Sequence, residues 1–572
     1  MMSRVLKIVL KVLGWAVAGI LAVALGLVAV CVWLHATADL NEPDFVPSEK
    51  CAVKLSDSLR VYGGNTLRLN ADGLWVMSVA GSAFERGEAI GKLAEDLLYM
   101  QEKAFADKLF EMVPSRRYRD FLHYFITIFN RRLGRSVPLE YRQEIKAMST
   151  SCTHELDDFG NPYERQMQYH SAHDIGHVMQ DYMLVGCTSF AAWGRESADS
   201  SLIIARNFDF YMGEEFARNK LVLFEKPDTG HAFVSVTWPG MLGVLSGMNT
   251  AGLTVTINAA KLETPSMSAT PISLLTKKIL QYASNLEQAW KIAGEYNTFV
   301  SESILVGSVN DGRAVIIEKT PSAMSMYDPA DRDSSVAHIV CTNHYQSEMF
   351  RDNPVNVENV RTSDSMQRFR RVEELLDSTG KVNPVNAAAI LRDKKGLGGE
   401  PLGYCNELAI NQLLAMHSVI FRPAERKIWV STSPWQCGCF VCYDLDEVFG
   451  AEASGIELSS EVIPEDPFVH SRDFADVLEF KRLLPVMQKA ARSGRHVPED
   501  SLRHFVSLDS LYFKAYDVAG DCYLSSGRAA QAAASYRHAL TLPMKPSEYQ
   551  HIESSGTAML LNSVSTVSPV PL

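Results

Sequence analysis

Gly186-Cys187-Thr188-Ser189 opens an apolar run, and Arg206-Asn207-Phe208-Asp209 follows a short strand later. A cysteine in this setting gains a second use if the peptide bond before it is cut. Cleavage between Gly186 and Cys187 would leave one residue with both a thiol nucleophile and a free α-amino group. An α-amine titrates near ~7.7–8, so it can take the thiol proton as a general base. Gly186 offers the backbone freedom to strain a scissile bond. The competing reading, for any one of ten cysteines, is a buried structural thiol. Arg206 and Asp209 stand 19 and 22 residues beyond Cys187. A hairpin turning at 195–200 would bring both back beside it. There Asp209 could hold the α-ammonium and Arg206 could lower the thiol pKa. An ordinary ion pair at a strand end is the alternative.

Amide cleavage also needs donors for a tetrahedral oxyanion. Asn258 ends the strand-like run Gly-Leu-Thr-Val-Thr-Ile-Asn, and Asn343 follows Val-Cys-Thr. Asparagine at a strand end is otherwise a turn former. Arg368 lies in Ser365-Met-Gln-Arg-Phe-Arg-Arg, on a helix with three arginines. His170, His173 and His177 have a spacing that permits a metal on one helix face, against the plainer reading of a polar helix; no metal or cofactor is expected. Cys437, Cys439 and Cys442 lack a clear fourth zinc ligand and read as a strand with a disulfide or buried thiols.

The elements that must position these groups follow from periodicity. The pattern from 82 to about 148 is helical, with an amphipathic opening at Glu85, Gly87, Gly91 and Leu93. A further helix is expected over about 169–182. From 183 short β-branched runs alternate with Gly and Asp turns, at 184–193, 202–208, 221–224, 232–238 and 252–258. Two helices follow at 272–283 and 286–296, then strands at 304–308, 314–318 and 337–342. A helix at 364–376 precedes a hairpin of 417–421 with 427–431. Strands, a helical pair and strands again predict an α+β fold of antiparallel sheets flanked by helices. Residues 515–543 resemble a single tetratricopeptide repeat, which needs neighbours to bury its faces.

The N-terminus has Arg4, Lys7 and Lys11 ahead of an uncharged stretch from Val12 to Leu34. Those positions span roughly 34 Å, enough for a bilayer core. The charge order predicts a cytoplasmic N-terminus and an exported body, periplasmic or extracellular. Ala36-Thr37-Ala38 keeps a cleaved signal peptide open as the rival. Net charge is −12 and no basic cluster stands outside the N-terminus, so a nucleic-acid partner is not expected. The expected organisation is an anchor or signal at 1–35, a linker at 36–74, a helical pre-nucleophile segment at 75–186, a core at 187–460, a helical extension at 461–550 and a disordered tail at 551–572.

Gly-Cys-Thr-Ser, Arg-Asn-Phe-Asp, Gly247-Met-Asn-Thr-Ala-Gly-Leu, Thr-Asn-His and Ser-x-x-Arg-Phe-x-Arg occur in that order. Together they resemble the N-terminal nucleophile hydrolases of the penicillin acyltransferase family, related to acid ceramidases, N-acylethanolamine amidases and bile salt hydrolases. The resemblance implies a four-layer αββα core and autocatalytic cleavage at Gly186-Cys187. It makes Cys187 nucleophile and base, with Arg206 and Asp209 positioning thiol and amine. Asn258 would serve the oxyanion, Asn343 would lie near the amine, and Arg368 would support processing. The expected activity is hydrolysis of N-acyl amides, of the lipid-amide or bile-acid-conjugate type, through a Cys187 thioester. Transfer of the acyl group to an amine is the alternative. A membrane-tethered scaffold with an inactive core, binding a protein through its C-terminal helices, is the third reading.

Overall fold

The computed structural model describes residues 4–178, 186–267, 269–450 and 461–554. Two sheets dominate. The larger has eleven strands, in the order Val53–Ser56, Leu59–Tyr62, Asn65–Leu69, Trp75–Gly81, Leu221–Pro227, Phe233–Thr237, Ser246–Asn249, Leu253–Ala259, Glu302–Ser308, Arg313–Lys319 and Met324–Tyr327. The smaller has seven, in the order His338–Cys341, Thr188–Ala192, Ile203–Phe208, His417–Arg422, Lys427–Ser431, Phe440–Asp444 and Val462–Ile463. All pairings are antiparallel except Trp75–Gly81 beside Leu221–Pro227.

Strand side chains alternate between faces, and the buried clusters follow that rule. Ala191, Ile204, Val419 and Val430 of the smaller sheet pack on Val222, Phe224, Val234 and Ile316 of the larger, forming the core between sheets. Phe190, Ile203, Ala205 and Ile420 point the other way, onto Val372 and Leu376 of the helix Ser365–Thr379 and Ala387 and Leu391 of the helix Pro384–Leu391. On the far face of the larger sheet, Val255, Ile257 and Ile304 meet Ile272, Leu275 and Ile279 of the helix Ile272–Tyr282. Next to them Met77, Val79 and Leu223 meet Ala89, Ile90 and Ile145. The layers therefore run helix, sheet, sheet, helix.

Residues 36–74, expected as a linker, hold three edge strands and are docked on the body. Asp39 donates its backbone N–H to Arg131, and Arg142 bonds the carbonyl of Asn41. Val53-Lys54-Leu55-Ser56 and Leu59-Arg60-Val61-Tyr62 do alternate apolar and polar residues, but each run is four residues long and stays exposed or half-buried, too short a pattern to stand out from a polar segment. The segment expected as helical from 75 begins with a central strand, Trp75–Gly81, before the helices Ala83–Leu93, Glu95–Met112, Arg116–Phe129 and Leu139–Ser149. The pre-nucleophile segment is thus woven into the larger sheet. Arg86 and Glu144, both buried, meet Glu225 and Lys277 of the core in one ion cluster, with Lys277 Nζ 2.9 Å from Glu144 and 3.0 Å from Glu225.

The helix expected at 169–182 runs Pro162–Val178, and its expected last turn lies outside the described residues. The helices Arg472–Ser493, Glu499–Leu508, Phe513–Ser525 and Ala529–Ala539 pack around Phe480, Phe505, Ala519 and Tyr536. They seat on the body, where Asn406 bonds the carbonyl of Pro543 and Lys481 that of Leu413. Residues 546–554 are helical, so the expected tail begins inside an ordered element; 555–572 lie outside the described residues. Leu10–Ala36, with mean hydropathy 2.7, is a helix long and apolar enough to cross a membrane, and none of it is buried.

Candidate active site

The hairpin foreseen from the sequence is present. Thr188 pairs with Asn207 and Ser189 with Arg206. This register sets Cys187, at the head of its strand, opposite Phe208. Strand alternation then turns Cys187, Ser189 and Arg206 toward the other sheet, while Thr188 and Asn207 face the helices.

Cys187 is 1% exposed. Burial pushes its thiol pKa up, Arg206 pulls it down and Asp209 pushes it up again. Arg206 Nη2 lies 3.4 Å from Cys187 Sγ. The same guanidinium is fixed by the carbonyls of Leu245 and Ile257 and by the Ser246 hydroxyl, and it lies over the Phe208 ring. It is therefore a cation held rigidly beside the sulfur. Ser246 in turn bonds His417 Nε2 at 2.8 Å. Burial and the charges of Arg206 and Lys220 hold His417 well below the usual histidine range, so it is neutral there.

Asp209 is wholly buried, and neither carboxylate oxygen has a hydrogen-bond partner among the described residues. Burial lifts its pKa to about 7, against the opposing pull of Arg368 and Arg206. Its backbone carbonyl accepts from Gly186 N–H at 3.2 Å, so it sits at the step before the cysteine. An unsatisfied buried carboxyl is costly.

Arg368 reaches the strand from the helix on the outer face of the smaller sheet. Its Nη1 donates to the Cys187 carbonyl at 2.7 Å and the Thr188 hydroxyl at 2.8 Å. Nη2 donates to Asn343 Oδ1 at 2.7 Å, and Nε to Asp364 at 3.0 Å. Of the three arginines on this helix, Arg371 pairs with Asp393 away from the cysteine and Arg370 is exposed. Asn343 Nδ2 bonds the Ala259 carbonyl at 2.9 Å. Asn258 accepts from Ser189 at 2.8 Å and donates to the Cys341 carbonyl at 3.0 Å, which leaves one of its two amide protons unused by that bond. Direct bonds thus join Cys187, Arg206, Arg368 and Asn343, while Asn258 reaches the neighbouring Ser189 and Asp209 meets the site through its carbonyl on Gly186 N–H.

Sequence reasoning missed Ser246, His417 and Gln412. A Cβ on Gly186 would lie 2.8 Å from Gln412 Nε2, so close approach is what glycine permits here. None of these three carries a local signal. Ser189 stood in the quoted motif, but its bond to Asn258 did not show there. His170 bonds through both ring nitrogens, to the Gln166 carbonyl at 2.7 Å and the Leu242 N–H at 3.0 Å, which takes it out of any metal site. The side chains of His173 and His177 lie outside the described residues. Cys437, Cys439 and Cys442 form no disulfide among the described residues. A cleft of about 460 Å³ opens nearby between Tyr211, Lys220, Met416, Trp435 and Lys481, bringing the helix Arg472–Ser493 to the edge of the core. Cys187 does not line it.

Residues 195–433 match the model of the family described as acyl-coenzyme A:6-aminopenicillanic acid acyl-transferase. The match holds five of the six residues singled out from the sequence and starts just after Cys187. Over that segment the family resemblance read from the motifs is shown. An uncharacterized protein of Archaeoglobus fulgidus is 33% identical over 112 residues, 19% of this chain and 19% of that protein. The match thus spans about a fifth of that relative. An N-acylethanolamine-hydrolyzing acid amidase ortholog of Caenorhabditis elegans aligns at 18% identity over 41% of this chain and 93% of its own, with a TM-score of 0.31. A mutant conjugated bile acid hydrolase of Clostridium perfringens aligns at 12% identity, over 48% of this chain and 95% of its own, with a TM-score of 0.32.

Proposed function

We propose, from the family that residues 195–433 match, that the chain is an N-terminal nucleophile hydrolase that cuts itself before Cys187 and then hydrolyses N-acyl amides. The observation that carries the reading is the buried Asp209 carboxyl, without a hydrogen-bond partner among the described residues, close to a cysteine whose sulfur faces Arg206. That pair suits an ammonium and a thiolate on one residue.

In processing, Cys187 Sγ attacks the Gly186 carbonyl carbon and the Gly186–Cys187 C–N bond breaks. The acyl group moves to sulfur and the proton to nitrogen. Water then opens the thioester, releasing Gly186 as a carboxylate and Cys187 with a free amine. Arg368, bonded to the Cys187 carbonyl and to Asn343, holds the strand head still while this happens. In turnover the Cys187 amine takes the thiol proton. The thiolate, favoured by Arg206, attacks the substrate carbonyl. Asn258 donates to the oxyanion. The Cys187 ammonium protonates the leaving amine, and water, deprotonated by the same amine, cleaves the thioester. Asp209 and Asn343 orient the amine throughout.

The substrate class is an acyl chain joined to a small amine, of the lipid-amide or bile-acid-conjugate type. The catalytic body lies on the exported side of a membrane, tethered by Leu10–Ala36. The acyl-transferase activity after which the matched family is named favours a second outcome, in which an amine replaces water at the thioester. Incubating the enzyme with an N-acyl amide, with and without a competing amine, separates the two. Free acid in both cases supports the hydrolase; a new amide supports the transferase; neither product, from fully cut protein, removes both.

A further inference from the structure

We infer that the helix Arg116–Phe129 is a second membrane contact, lying in the headgroup layer of the leaflet from which Leu10–Ala36 emerges; this rests on the reading of Leu10–Ala36 as an anchor. A helix on a protein surface turns its apolar residues inward. This one does not. Tyr118, Phe121 and Phe125 are 53%, 59% and 53% exposed. Their i, i+3, i+7 spacing places them on one face. The rings form a stripe, with Tyr118 stacked on Phe121 at 6.2 Å and Phe125 on Phe129 at 6.1 Å. Aromatic side chains on one face of a basic helix insert at the headgroup–acyl boundary of a membrane.

The place of the helix selects the occupant. His35, in the last turn of the candidate span, stacks on Tyr124 of this helix with ring centroids 4.3 Å apart. Just beyond, Asp39 N–H bonds the Arg131 carbonyl. A Cβ on Gly134 would meet the Leu40 carbonyl oxygen at 1.9 Å, so the chain leaving the span is pressed against the short helix Leu133–Ser136 that follows directly. Wherever the span meets the bilayer surface, this helix is at that level. Its charge fits the same surface. Contrary to the expectation that no basic cluster stands outside the N-terminus, residues 116–132 hold Arg116, Arg117, Arg119, Arg131 and Arg132 against a single acid, Asp120, in a chain of net charge −12. Arg116 and Arg117, at the helix start, are exposed. An aromatic face beside arginines is the composition of an interfacial helix on anionic lipid.

The test uses the full chain in vesicles of phosphatidylcholine and phosphatidylglycerol. An environment-sensitive fluorophore is placed at Phe121→Cys, at Asp120→Cys, or at native Cys31 in the span, with the other exposed cysteines changed to serine. Lipids with a nitroxide near the headgroup or deep in the chain act as quenchers. The inference expects the position-121 label to be quenched severalfold more by the shallow nitroxide than the position-120 label, and the Cys31 label by the deep one. Quenching at Cys31 with none at position 121 overturns the inference and leaves the anchor standing. A position-121 label shielded from aqueous quencher but untouched by lipid nitroxide also overturns it, in favour of a protein contact. No lipid quenching at any position removes the anchor reading as well.

Discussion

At the residue scale the account turns on Asp209 and Asn258. A carboxyl lifted to about 7 by burial binds a proton in the fold that the unfolded chain has already lost above ~3.9. Stability therefore falls as pH rises through that window. In uncut Cys187→Ala protein the melting temperature should drop between about pH 4 and about pH 7. Adding Asp209→Asn should flatten that slope, as followed by calorimetry. For Asn258→Ala, loss of one oxyanion donor should lower kcat by ~10²–10³ with little change in KM, measured on cut protein. Cys187, Arg206 and Asp209 were legible in the sequence because a hairpin joins them across a short turn. Ser246 and His417 were not. Their bonds to the site span 40 and 171 residues, and nothing local marks a serine or a buried histidine for such a partner.

At the element scale the strands that shape the site were readable and the sheet edge was not. Runs such as Ile203–Phe208 and Leu253–Ala259 are buried at every position and rich in β-branched residues. Val53–Ser56 is exposed throughout and offers no such pattern. What fixes the pre-nucleophile helices is equally invisible in one dimension. Lys277, fully buried between Glu144 and Glu225, joins them to the core. Lys277→Met leaves buried carboxylates short of a counter-ion and should cost about 3–5 kcal/mol in denaturant unfolding. Gly87 lets the helix Ala83–Leu93 touch its neighbour: a Cβ there would lie 2.1 Å from the Glu144 carbonyl oxygen. Gly87→Ala must part the two helices and should destabilise by about 1–3 kcal/mol or more, read by the same unfolding curves.

At the scale of the whole molecule, the segment before the cysteine supplies four strands to the larger sheet, and Trp75–Gly81 pairs with Leu221–Pro227 along its full length. Cutting at Cys187 severs one covalent link and none of that pairing. The two chains should therefore copurify and separate only in denaturant, as judged by size exclusion with and without urea. The C-terminal helices are seated on the body through residues 403–413. The central claim is the cut itself, and intact mass with N-terminal sequencing of purified, active protein tests it most directly. The account expects two chains, the larger beginning at Cys187, and one uncut, inactive chain for Cys187→Ala. A single full-length chain that turns over N-acyl amides contradicts it.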